Sequence, residues 1–314
     1  MTPDNHAEAQ GMTADGAPHW TAPREPGPYA GPHVDFRAID YRSVPVKADI
    51  ISGIMRLDVE SDSCFRELDG YVGSDLGVAT LLLRVANSPF YSRGTRIANI
   101  PKAISVLGFN VVRSLAMLAF GRSLFAQSRN ALFQRHIWQH SLLTAIAGRT
   151  ICLDIGDDKD KDEAFIAGLM HDVGKVLMFT HRPHRYLDVL ALVLGDGYAS
   201  VAAEQRVFGC DHVQVGREAV TQWRLPERFA DFMGVDLSAP RPEFAADPVR
   251  LSLAVANSLI AGSGIGARPV ADVAARKASL LAFGLDADLC EQLFQGDFVA
   301  GLMEDDTYRL CANL

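Results

Sequence analysis

From Val44 onward, apolar residues return every three or four positions, and stretches alternating with period two are few. That spacing predicts helices nearly throughout, and no sheet. Leu81, Leu82 and Val85 mark a buried helix that ends at Asn87-Ser88-Pro89, because proline disfavours helix in the residue before it. Asn110 is expected to cap an apolar helix over 111–125. Further helices are expected over about 132–153 and 161–178. Asp211 should cap a helix leading to Trp223-Arg224-Leu225-Pro226. Asp247-Pro248 should start another, running through Asn257 to about Ala261. The last fifty residues read as two or three short helices broken at Gly266, Gly284 and Gly296, and the chain holds no internal repeat.

The first forty residues follow another rule. Residues 1–33 contain no Leu, Ile, Val or Phe, while Pro3, Pro18, Pro23, Pro26, Pro28 and Pro32 recur. A segment without large aliphatics cannot offset its ordering entropy, so 1–40 is expected to be a disordered tail. Trp20 and Tyr29 could anchor it, but a loose leader is the simpler reading.

Composition then narrows the class. Hydrophobic residues are 48% and charged residues 22% of the 314, a globular mixture. The net charge of −8 disfavours non-specific contact with DNA or anionic lipid, so neither a DNA nor a membrane partner is expected. Cys64, Cys152, Cys210, Cys290 and Cys311 form no CxxC pair, and are expected as small apolar side chains in a reducing cytoplasm. No apolar run approaches the ~20 residues needed to span a bilayer, and the N-terminus lacks the pattern of a signal peptide.

The sharpest chemistry is His171-Asp172, within Gly168-Leu169-Met170-His171-Asp172-Val173-Gly174-Lys175. Neutral imidazole and carboxylate together suit a divalent transition ion. His140 lies on the core-facing stripe Phe133, Ile137, His140, Thr144, Ala147, Ile151, and two antiparallel helices would bring it to His171. The plainer alternative is a buried His/Asp hydrogen-bonding network without metal. Lys175 is expected to be solvated, with contact to a phosphate as the alternative. His181 and His184 read as surface residues, His212 as part of a helix cap, and Arg93 and Arg96 as a surface loop. Gly262-Ser263-Gly264-Ile265-Gly266 lacks the Lys-Ser/Thr of a phosphate loop, and is explained by a helix end and linker.

Trp138 to Leu142 followed by Ala167 to Lys175 resembles the core of the HD superfamily of metal-dependent phosphohydrolases. Four more blocks narrow the resemblance to the HDOD branch: Leu81 to Tyr91, Ile100 to Gly108, Phe208 to Gly216, and Trp223 to Pro226. The resemblance implies an all-α, multi-helical HD-like bundle: an HDOD domain over 41–240, with an N-terminal helical subdomain (41–130) and the bundle proper (131–240), and C-terminal capping helices over 241–314. It also implies the ligands His140, His171 and Asp172, with a closing position that falls on Asn257 where the enzymes carry Asp. Neutral Asn is a poorer ligand, and Phe232 to Asp236 lack the His pair found in many HDOD proteins. The Gly-Tyr-Pro element of cyclic-dinucleotide phosphodiesterases is absent too. The implied function is therefore bacterial signal transduction through contact with another signalling protein, or sensing of a small ligand such as a nucleotide. A divalent metal (Mn, Fe or Mg) is admitted but not required. The rival is a metal-dependent phosphohydrolase or phosphodiesterase.

Overall fold

The computed structural model describes residues 39–41, 48–92, 94, 96–126, 128–156, 158–233, 242–305 and 308–309. The tail over 1–38, Arg93, Gly234 to Asp236 and Cys311 lie outside them. Among the described residues there is no strand; the expected all-α fold is what the chain forms.

Six helices form the first layer: α1 (Ala48–Arg56), α2 (Cys64–Gly73), α3 (Leu76–Ala86), α4 (Pro89–Ser92), α5 (Ile100–Leu107) and α6 (Phe109–Phe125). Capping sets their ends. The Asp75 carboxylate accepts from Val78 N–H at 3.0 Å to start α3, and Asn99 does the same for Lys102 at 2.9 Å to start α5. Asn87 terminates α3 as expected, and its side chain exchanges bonds with the Ile97 backbone (2.7 and 2.8 Å), tying the loop back to the helix. Asn110 is not the cap of α6; the helix starts two residues earlier than expected, at Phe109, after Gly108 at φ +82°.

The second layer is α7 (Ala131–Phe133), a π-helical turn (Gln134–Gln139), α8 (His140–Ile155), α9 (Lys161–Met170), α10 (Val173–His181), α11 (Pro183–Ala191), α12 (Ser200–Phe208), α13 (His212–Gln222) and α14 (Phe229–Phe232). Asp211 and Gln214 form a full capping box at α13. The C-terminal part holds α15 (Pro242–Ala245), α16 (Pro248–Gly262), α17 (Val273–Ala282), α18 (Ala287–Leu293) and α19 (Phe298–Glu304). Asp247, Asp272, Asp286 and Asp297 cap α16 to α19 in turn.

The centre is a stack of α8, α9 and α16, with α6 against α9 and α10 against α13. Thus α16, from the C-terminal segment, is no peripheral cap; Leu253, Ala254, Val255, Ala256 and Ile260 are fully buried in the common core. The Trp223-to-Pro226 block joins the layers. Trp223 Nε1–H donates to the Tyr41 carbonyl at 2.7 Å, its ring meets Phe120 edge-on at 4.9 Å, and Ser52 Oγ–H donates to the Arg224 carbonyl at 2.6 Å. Ile39, assigned by its sequence to the tail, is buried in the core beside Tyr41. No single helix among the described residues is long and apolar enough to cross a membrane.

Candidate metal centre

The expected continuous helix over 161–178 is two. Lys161–Met170 ends with His171 as its C-cap, and Asp172, at φ −108° and ψ 14°, opens Val173–His181. The break turns both side chains into one space. Flanking glycines permit it: a Cβ on Gly168 would strike the Ala145 backbone of α8, and one on Gly174 would strike the His212 carbonyl. Upstream, the π-helical turn adds a residue to the helical register immediately before His140, a device frequent at functional sites, and both His136 and His140 are buried.

His140 and His171 meet as expected, with their Nε2 atoms 3.3 Å apart. Asp172 Oδ2 lies 3.5 Å from His140 Nε2 and 3.3 Å from His171 Nε2. One ligand atom from each residue falls within a 4.8 Å group, and the three residues are only 1–2% exposed. Proton placement follows from the outer partners. A carbonyl only accepts, so His140 Nδ1–H donates to Ile265 O (2.9 Å) and His171 Nδ1–H donates to Gly168 O (2.8 Å). Both rings therefore turn Nε2 toward Asp172, the arrangement that metal-binding histidines adopt. The donor set, two imidazoles and a carboxylate oxygen, fits one divalent transition ion. Burial pushes the His140 pKa down to about 3 against the pull of Asp172, so the ring is neutral and able to ligate.

A second set of charges surrounds Asp172. Lys175 Nζ donates to Oδ2 at 2.8 Å, and His212 Nε2 lies 3.5 Å from Oδ1. Behind His212 stands Glu204, fully buried. Its Oε2 accepts from the His212 backbone N–H (2.8 Å) and from Nδ1–H (2.6 Å), and its Oε1 accepts from Tyr186 O–H (2.6 Å). Burial works against a charged His212, but the Glu204 carboxylate outweighs it and raises the pKa. Burial likewise opposes ionisation of Asp172, yet His171, Lys175 and His212 hold its carboxyl well below the usual range. Burial and then Glu204 push the Tyr186 phenol well above its ordinary value. Two carboxylates thus face one ammonium and one histidine biased toward the cation.

A family model for the HDOD domain matches residues 44–235, more than half of the chain. The chain belongs to the HDOD family. An HDOD domain protein of unknown function from Geobacter sulfurreducens superposes with a TM-score of 0.66 at 23% identity, covering 88% of this chain and 93% of that one. A candidate signal transduction protein from Marinobacter aquaeolei VT8 gives 0.62 at 20% identity, covering 85% and 59%. A candidate phosphohydrolase from Shewanella amazonensis SB2B gives 0.58 at 18%, covering 83% and 91%. At these identities the likeness concerns the fold. An uncharacterized protein of Treponema pallidum (strain Nichols) is 19% identical over 207 residues, and this chain spans 40% of that relative's length.

Within this HDOD chain the expected residues fare differently. His140, His171 and Asp172 converge. Asn257 stands half-buried on α16, and its place in the ligand set remains a proposal. Lys175 is not solvated: it is 8% exposed, because its ammonium is drawn onto Asp172 three residues earlier. His212 is in the expected cap region, but its ring points inward to Asp172. Glu204 and Tyr186 were not singled out in the sequence, although a Glu eight residues before the His of the Asp-His block is a readable signal. His184 is exposed and His181 half-buried, apart from the centre.

Proposed function

We propose that this HDOD chain is a regulatory signalling module that works by contact with another signalling protein, and that its HD centre holds the bundle in one conformation without turning over a substrate. The observation that carries this reading is the state of Asp172. Its charge is already met from inside the protein by Lys175 at 2.8 Å and by His212 at 3.5 Å. A divalent ion would have to compete with an ammonium for Oδ2 itself. Asn257 where the enzymes' closing Asp aligns argues in the same direction.

The rival reading, a metal-dependent phosphohydrolase, also has an observation in its favour. The two Nε2 atoms, each with its ring proton committed elsewhere, face one another at 3.3 Å, and a cation between them would relieve that repulsion. A metal held by His140, His171 and Asp172 would polarise a phosphoryl oxygen and lower the pKa of a bound water.

Elemental analysis of the purified full chain, before and after dialysis against Mn²⁺, Fe²⁺ or Mg²⁺, tests the choice. The regulatory reading expects metal well below one equivalent. A tightly held full equivalent, lost in His171→Ala, would move the centre to the rival reading.

A further inference from the structure

Beyond α16 the chain turns back onto the histidines. Ser263 N–H closes the helix on the carbonyls of Leu259 and Ile260, at 3.2 and 3.1 Å. Two residues on, the Ile265 carbonyl takes the His140 Nδ1 proton at 2.9 Å, and Gly266 N–H donates to His136 Nδ1 at 3.2 Å. The Ile265 side chain is buried, and Gly264 and Gly266 stand at φ +90° and +96°, where residues with a Cβ are strained. A Cβ on Gly266 would also overlap the His140 ring. Further along, Gln139 Nε2–H donates to the Tyr308 hydroxyl at 2.8 Å. His136, Gln139 and His140 are therefore all held by residues that follow α16. None of those residues lies within the span matched by the family model.

A neutral imidazole carries a single proton. While the Ile265 carbonyl takes it at Nδ1, the His140 lone pair is at Nε2 and faces Asp172 and His171. Without that carbonyl, the proton can move to Nε2 and bond to Asp172 Oδ2, 3.5 Å away, and the nitrogen ligand is gone. We propose that residues 263–267 form a strap, held in cis, that fixes the His140 tautomer and closes the HD centre, so that movement of α17 to α19 decides whether His140 presents its lone pair to the site. At its near end the strap hangs from the last turn of α16, where Gly264 N–H donates to Ala261 O at 3.0 Å. Beyond Ile265 its hold on the centre is the two hydrogen bonds to the His136 and His140 rings, contacts of the kind that local opening breaks without unfolding the domain. Downstream, α17 keeps Val273 and Leu281 about half exposed and has a single residue, Leu280, fully buried, so it is lightly anchored. The inference stands whether the centre is regulatory or catalytic, since it concerns access to the ring and the position of its proton.

The test is made on the full chain. Nitrogen-15 spectra of labelled histidine should show the Nδ1–H tautomer for His140 in the parent. In Gly266→Ala the signal should shift toward Nε2–H, and His140 should react with diethyl pyrocarbonate about tenfold faster or more, while exposed His184 reacts equally in both proteins. Hydrogen exchange on the parent should show the amides of 264–267 opening well before those of α16. A Gly266→Ala protein that folds and keeps the Nδ1–H tautomer and the parental labelling rate would overturn the strap. Should the variant fail to fold, exchange at 264–267 as slow as in α16 would overturn it on the parent alone.

Discussion

Asp172 Oδ2 stands 2.8 Å from Lys175 Nζ, in a position only a few per cent exposed. One turn of helix separates the two residues, and the Lys175 backbone N–H also bonds the Asp172 carbonyl at 2.9 Å. Only the ammonium donates to this carboxylate oxygen, while the unprotonated Nε2 atoms of His140 and His171 lie 3.5 and 3.3 Å from it.

Removing that ammonium should expose its role. Lys175→Met leaves Asp172 buried with a missing partner, which costs about 3–5 kcal/mol in other proteins. Added Mn²⁺ should recover part of the loss, since a cation is again wanted at Oδ2. Urea melts with and without Mn²⁺ measure both effects, and a loss under ~0.5 kcal/mol would show that the pair is not coupled to folding.

Asn257→Asp restores the carboxylate that the enzymes' pattern calls for. If Asn257 completes the ligand set, the variant should bind Mn²⁺ or Fe²⁺ at least about tenfold more tightly than the parent, ~1.4 kcal/mol. Without metal it should be less stable, because two nearby carboxylates repel and one must be desolvated. Titration calorimetry that finds equal affinities would remove Asn257 from the centre.

How much of this could be read beforehand depends on what held each feature. The His140–His171 meeting was legible, because a 3.6-residue stripe and a helical hairpin suffice to bring them together. The caps at Asp211 and Asp247 and the stop at Asn87 were legible too, being local chemistry. The break at His171-Asp172 was not, since an unbroken apolar run conceals a bend that depends on Gly174 meeting the His212 backbone. Burial of Lys175 and the inward turn of His212 depend on Glu204, Asp172 and their neighbours from separate helices, which no local pattern reveals. The glycines after α16 read as a linker for the same reason: their partners, His136 and His140, lie about 130 residues earlier in the chain.

The acid side of the stability curve should carry the mark of His136. Burial, and then Arg135, hold its pKa below the ordinary 6.5. The unfolded chain therefore binds the proton more readily, and stability is lost as pH falls from 6.5 toward the folded value, by at most about 1.4 kcal/mol per pH unit. His136→Gln keeps an acceptor for Gly266 N–H but does not titrate, so its stability should fall less between pH 6.5 and 5. Parallel pH-dependent melts that superimpose would count against this.

Leu82 and Leu118, on α3 and α6, are at most 1% exposed. Each Leu→Ala replacement should cost about 2–5 kcal/mol. Denaturant melts resolve such losses, and a change below ~0.5 kcal/mol would mean that the cavity collapses far better than the packing implies.

The regulatory reading itself is tested most directly by turnover. The full chain, loaded with Mn²⁺ and supplied with a panel of nucleotides, cyclic dinucleotides and phosphomonoesters, is assayed for released phosphate or cleaved ester beside His171→Ala. The account predicts no turnover above the variant, because the Asp172 charge is neutralised internally and the ligand atoms are closed from solvent. Hydrolysis by the parent that His171→Ala abolishes would contradict it and make the centre an active site.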